Sequence, residues 1–166
     1  MQFEFRPLED EGIRDIVTWE YEPPYDMYNI DHEVDINILI LLIIGSRSYY
    51  RIDDPDHGLI GFCCFGDEGR VAGGDYSQEA LDMGLGVRPD LTGQGLGHLF
   101  IDALCSYATV MFAPTTLRVT IAAWNKRAQR VWTKAGFQEQ ARFQATHTGM
   151  EFIIFTRSSE KGRPSL

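Results

Sequence analysis

The sequence predicts a mixed α/β domain, and three features carry that reading. Period-two apolar runs alternate with helical patterns through the middle of the chain. Two runs near the C-terminus read as a closing antiparallel hairpin. Before them, "DLTGQGLGHLF" (90–100) joins a strand to a helix through three glycines at alternate positions. The 166 residues are enough to bury one core, so we expect a single domain over 1–157 with a frayed tail at 158–166.

"FEFR" (3–6) alternates as a first strand, and "LEDEGIRDIVTW" (8–19) suits a helix whose acidic first turn favours the positive end of its dipole. "EYEPPYDMYN" (20–29) is a loop. Residues 31–44 read as a second helix, although the run "ILILLII" (38–44) also fits a buried strand. Either way it is expected in the core, being far short of the ~20 residues that span a bilayer. "SYYRI" (48–52) and "LIGFCCFG" (59–66) are strands separated by the turn "DDPDHG", and "ALDMGLGV" (80–87) is a fourth strand. Residues 94–112 form a helix, with Leu96, Phe100, Ala103, Leu104, Tyr107 and Met111 expected on its buried face. "TLRVTIAAW" (116–124) is a strand, Asn125 caps the helix "KRAQRVWTKA", and Gly136 ends it with Phe137 as the following apolar residue. "FQEQARFQAT" and "MEFIIFTR" form the hairpin, turning near "HTG".

Net charge is −9 and unevenly spread: residues 1–82 hold 19 acids against 5 bases (−14), residues 83–166 hold 5 against 10 (+5). That balance argues against a nucleic-acid binder and points to a cationic partner for the front half and an anionic one for the back. The three cysteines, Cys63, Cys64 and Cys105, suggest neither a disulfide framework nor a metal site. With no secretory pattern at the start and no membrane-spanning run, a cytoplasmic protein that binds no metal and no membrane is expected.

Each glycine of 93–97 costs about 1 kcal/mol against Ala in a helix, so something must approach that backbone. A P-loop needs a Lys after the glycines, and a dinucleotide fingerprint needs Gly where His98 stands. A strand–loop–helix that offers consecutive N–H groups to a pyrophosphate fits better. Tight packing of helix on sheet is the alternative.

"GLGVRPDLTGQGLGHLF" resembles the acetyl-CoA-binding motif of the GCN5-related N-acetyltransferases (GNAT), and "NKRAQRVWTKAGF" is similar to that family's N-x-x-A-x-x-x-Y-x-x-x-G-F segment. The resemblance covers residues 80–140. It implies a mixed, mostly antiparallel sheet of six to seven strands flanked by helices and splayed between strands 4 and 5, with acetyl-CoA in the opening. Leu85, Gly86 and Val87 would then face the pantetheine arm with backbone groups. Thr92, Gly93, Gln94, Gly95, Leu96, Gly97 and His98 would surround the pyrophosphate. Asn125 would reach the pantetheine with its amide, and Ala128 and Trp132 would line the arm near the sulfur. Two departures stand out. Thr92 replaces the usual Arg or Gln, for which Arg88, Lys126, Arg127 or Arg130 could compensate. Trp132 replaces the Tyr that commonly protonates the departing thiolate, and an indole N–H is no practical acid; it would serve as an apolar lid.

Direct acetyl transfer needs a deprotonated amine, and Asp82, on the splayed strand, is the expected base. "WEYEPPYDMY" (19–28) lies where the family roofs its acceptor site. Trp19, Tyr21 and Tyr25 with Glu20, Glu22 and Asp26 would suit a cationic amine through charge and cation–π contact. Three readings stay open: an N-acetyltransferase acting on an amine, a CoA-binding module without catalysis that serves as sensor or scaffold, and a nucleotide-phosphate protein of another fold. The sequence leaves oligomeric state open and is compatible with a homodimer.

Overall fold

The computed structural model describes residues 1–159. They form two compact units threaded by one shared strand. The first unit comprises Met1–Cys64 and Leu85–Leu96. It holds antiparallel strands β1 (Glu4–Pro7), β2 (Tyr49–Asp54) and β3 (Gly58–Phe65), with Phe5 opposite Ile52 and Tyr50 opposite Cys63. The last residues of β4 (Leu81–Val87) come beside β3, where the Arg88 N–H donates to the Ile60 carbonyl at 2.9 Å.

Helix α1 (Asp10–Ile16) is capped by Glu9, whose carboxylate accepts from Gly12 N. Its Ile13 and Ile16 meet Leu8, Leu59 and Ile40 in the unit's core. Ile40 comes from α2 (Ile36–Ser46), capped by Asp35. The apolar run 38–44 is therefore helical, but it is not all core, as the sequence had suggested. Ile36, Ile40 and Ile43 face inward at helical spacing, whereas Ile38, Leu41 and Leu42 are 55, 73 and 67% exposed. One helix has only one inward stripe, and this sequence is apolar on both sides.

The second unit comprises Phe65–Gly84 and the described residues from Gly97 on. It contains the start of β4, α3 (Gly97–Phe112), β5 (Thr116–Ala122), α4 (Lys126–Lys134), β6 (Gln138–Gln144) and β7 (Glu151–Ser158). β4 pairs in parallel with β5 from Leu81↔Leu117 to Met83↔Val119, where the ladder stops although both strands run on. The closing hairpin folds back so that β7 lies between β5 and β6. The seven strands thus make a mixed sheet in the order β1-β2-β3-β4-β5-β7-β6. This is the predicted fold class, a mixed sheet with β4 and β5 paired in parallel.

Helix α3 buries Phe100, Ile101, Leu104, Cys105 and Ala108, a stripe rotated from the expected one; Met111 is 53% exposed. Helix α4 follows the sequence closely. Asn125 Oδ1 accepts from Ala128 N at 3.0 Å. At the other end Gly136, at φ 92°, and Phe137 return N–H bonds to Thr133 and Trp132 carbonyls, the Schellman pattern. Ser158 and Ser159, expected to fray, are held instead. Ser158 pairs with Thr116, and Ser159 N donates to the Thr115 carbonyl at 3.1 Å. The remainder of the expected tail, residues 160–166, lies outside the described residues.

Candidate acetyl-CoA site and acceptor loop

In the first unit, β4 leads through a 3-10 turn at Pro89–Leu91 into the glycine loop. The turn is fastened at several points. The Arg88 guanidinium donates to the His57 and Leu59 carbonyls, each at 2.9 Å, and to both carboxylate oxygens of Asp90. Thr92 Oγ1 donates to the Pro89 carbonyl at 2.7 Å, and the Gln94 side-chain amide donates to the Asp90 carbonyl. Arg88 and Thr92 are thus occupied within the turn, which removes Arg88 as a substitute for the missing phosphate contact.

The glycines have separate causes. Gly93 and Gly95 sit at φ 70° and 74°, a region L-residues avoid because Cβ crowds the carbonyl. Among the described residues, no atom lies within 4 Å of where a Gly95 Cβ would stand. That space is open to a ligand, and both residues are exposed on the loop. Gly97 opens α3, and a Cβ there would lie 3.0 Å from Val131 Cγ1, so its role is close helix packing. His98 follows in the first turn of α3, where backbone N–H groups lack intrahelical acceptors. An open, positive-φ loop feeding a helix N-terminus suits a pyrophosphate. These residues fit acetyl-CoA.

Gly86 is different. The Phe62 ring presses on it so closely that a Cβ would fall 2.2 Å from Cε1, and Phe62 in turn meets Trp19 at 6.0 Å between centroids. An internal contact therefore explains Gly86 without invoking approach of the thioester. Gly86→Ala should destabilise the protein by about 1–3 kcal/mol through overpacking. Urea unfolding should show a lower midpoint at unchanged m-value. A midpoint equal to wild type would mean the ring moves aside freely.

The loop of residues 19–28 is anchored to β4 through Tyr21, whose hydroxyl donates to the Val87 carbonyl at 2.8 Å. That acceptor, expected to face the pantetheine, is already used. Asn29 closes the loop by accepting from Tyr21 N at 2.7 Å, and Tyr21 stands edge-on to Tyr28. Tyr25 and Asp26 lie in a 3-10 turn, Tyr25–Tyr28. Glu20, Glu22 and Asp26 are exposed, and no ion pair engages them among the described residues. By contrast, Glu9, Asp53 and Asp90 each hold an arginine.

In the second unit, Asn125 is buried and its side-chain carbonyl serves as the cap of α4, binding the Ala128 amide. Trp132 is 7% exposed and packs edge-to-face on Phe137, centroids 4.9 Å apart at 87°. Its ring is part of this unit's core. On the outer face of α4, Lys126, Gln129, Arg130, Thr133 and Lys134 line an open hollow of about 470 Å³, which leaves Lys126 and Arg130 as cations for an anionic group.

Asp82 does not have the surroundings of a general base, and the expectation is corrected here. Its side chain is 1% exposed. Arg118 Nε and Nη2 donate to its two oxygens at 2.7 and 2.8 Å, and Arg70 Nε donates at 2.8 Å. The Tyr76 ring lies under both guanidiniums, at 5.0 and 5.3 Å from their carbons, and its hydroxyl bonds Thr120 and the Val71 N–H. Buried and engaged by three N–H donors, the carboxylate is occupied inside the fold rather than presented to a substrate amine. The signal was present in the sequence: Arg118 stands inside the apolar strand "TLRVTIA", and a buried charge requires a partner. Parallel pairing puts Asp82 directly opposite it.

A sequence model described as an acetyltransferase (GNAT) domain matches residues 3–138. No curated protein matches the chain. Among solved structures, a chimera of the spermidine N-acetyltransferase SpeG from Vibrio cholerae with hSSAT is similar at TM-score 0.75 and 17% identity, over 97% of this chain and 98% of that one. The Vibrio cholerae spermidine N-acetyltransferase in complex with CoA and spermine gives TM-score 0.69 at 17% identity, over 96% and 97%. A dodecameric form of that enzyme gives 0.67 at 16%, over 96% and 95%. At these identities the structural likeness speaks for the fold, and the match across residues 3–138 for the family. The chain belongs to the GNAT acetyltransferase family.

Proposed function

We propose that residues 1–157 form one catalytic domain that transfers an acetyl group from acetyl-CoA to a primary, cationic amine. The observation that carries this reading is the glycine loop, with Gly93 and Gly95 at positive φ, open space over Gly95, and a helix N-terminus directly after it. In the first unit, Gly93 and Gly95 take the pyrophosphate and the backbone of Leu85 and Gly86 takes the pantetheine. Bound there, acetyl-CoA presents a thioester carbonyl to the amine.

The exposed, unpaired Glu20, Glu22 and Asp26 beside Tyr21 and Tyr25 support a cationic acceptor. They attract an alkylammonium by charge, and the rings add cation–π contact. The amine must lose its proton before attack, since its pKa lies near ~10. With Asp82 committed to Arg118 and Arg70, Glu20 and Glu22 are the carboxylates that take it, directly or through water. Transfer is direct, because no cysteine is poised as a nucleophile. All three are buried, and burial pushes the Cys63 thiol far up and the Cys105 thiol up to about 11. Their reduced state suits the cytoplasm, and no helix among the described residues is long and apolar enough to cross a membrane.

The similar spermidine N-acetyltransferase structure that holds CoA and spermine makes polyamines the first acceptors to test. A panel of spermidine, spermine, an aminoglycoside, a lysine peptide and a free peptide N-terminus should be assayed by thiol release from acetyl-CoA. Polyamines are expected to turn over fastest, with rates falling as salt rises. Binding of acetyl-CoA with no thiol release for any amine would favour a non-catalytic CoA-binding module.

A further inference from the structure

We propose that α2 is the contact surface of a two-fold dimer, its outer face lying antiparallel against the same helix of a second copy. Every exposed large hydrophobic residue of the first unit except Met1 falls between Met27 and Ile44. On α2 the outward stripe is Ile38, Leu41 and Leu42, and Gly45 continues it at helical spacing. A Cβ on Gly45 would meet nothing within 4 Å. Glycine is the worst helix former after proline, and no contact among the described residues accounts for it. Close approach of another helix does.

The charges at the two ends of α2 select a second copy as the occupant. Asp31, Glu33 and Asp35 stand exposed at its start and Arg47 at its end, none of them in an ion pair among the described residues. An antiparallel pair brings the acidic start of one helix beside the Arg47 end of the other, at both ends of the contact, and opposes the two helix dipoles favourably. The midpoint between Asp35 and Arg47 is Leu41, the most exposed apolar side chain of the helix at 73%. A two-fold axis beside it, between Leu41 and Leu42 at the middle of the stripe, sets Leu41 against Leu42 and Ile38 against Gly45 of the second copy, the self-complementary pattern of an isologous interface. A membrane surface fits less well, since interfacial helices carry Lys or Arg on their flanks rather than acids.

The test is independent of acetyl transfer. Sedimentation of the wild type across a concentration series should show a monomer–dimer equilibrium, and Leu41→Glu should weaken it roughly 100-fold or more by removing a central anchor from both copies. Because the native cysteines are buried, Leu41→Cys should crosslink to a covalent dimer under diamide, whereas Val110→Cys, at an 82% exposed position on α3, should not. Circular dichroism of Leu41→Glu should match wild type. A monomeric wild type, a dimer that survives Leu41→Glu, or a Leu41→Cys protein that stays uncrosslinked would overturn the proposal. So would a monomer that instead sediments with phosphatidylcholine vesicles.

Discussion

Asp82→Asn is expected to lower the melting temperature sharply rather than slow a proton transfer. The native carboxylate receives three charge-assisted hydrogen bonds from Arg118 and Arg70, with its own side chain and that of Arg118 only 1% and 3% exposed. Asparagine offers one oxygen and turns an NH2 toward guanidiniums that are donors only. Breaking a buried pair while leaving its cation in place costs about 3–5 kcal/mol, which for a chain of this size is a drop of roughly 6–20 °C. Arg118→Leu alone should cost a similar amount. Asp82→Leu with Arg118→Leu should recover much of the loss, because a well-packed apolar pair replaces the ionic one and Arg70, whose side chain is 37% exposed, can turn to water. Thermal unfolding of the three variants checks this. An Asp82→Asn protein with unchanged melting temperature, unchanged acetyl-CoA affinity and a rate rescued at high pH would restore Asp82 as the base.

The order of elements was legible because each announces itself locally. Asn125 as a cap, Gly136–Phe137 as a stop and the Pro/Gly/Asp turn before β3 depend on a few neighbouring residues, and the structure has all three. The stretch from the fourth strand through α4 was legible for the same reason. What was missed depends on partners distant in sequence. The role of Asp82 follows from parallel pairing with β5, which brings Arg118 across from 36 positions away, and no local pattern encodes that register. Gly86 looked like a ligand contact because its neighbour Phe62 belongs to another strand. The outer side of α2 was read as core because hydropathy reports how apolar a residue is, not which way a helix turns it. The stripe of α3 was rotated for a related cause: its sequence is apolar on several sides, so periodicity fixed its phase poorly.

Of the three glycines at 93–97, Gly95 is the one expected to control binding of acetyl-CoA. Gly97 answers to Val131, and Gly93 shapes a turn already fastened by Arg88, Thr92 and Gln94. At Gly95 no atom of the described residues lies where a Cβ would stand, and the residue is at φ 74°. Valine there fills the space and strains the loop by about 1–2 kcal/mol, so its effect mixes two causes. Asparagine separates them, because it tolerates this backbone region while still placing a side chain in the cradle.

The central claim is that this loop holds the pyrophosphate of acetyl-CoA, and calorimetric titration of acetyl-CoA into wild type, Gly95→Val and Gly95→Asn tests it most directly. Wild type should bind, and its melting temperature should rise with ligand concentration. Both variants should lose at least ~100-fold in affinity, about 2.7 kcal/mol, while their ligand-free melting temperatures stay within a few degrees of wild type. Wild-type affinity in Gly95→Asn would contradict the account.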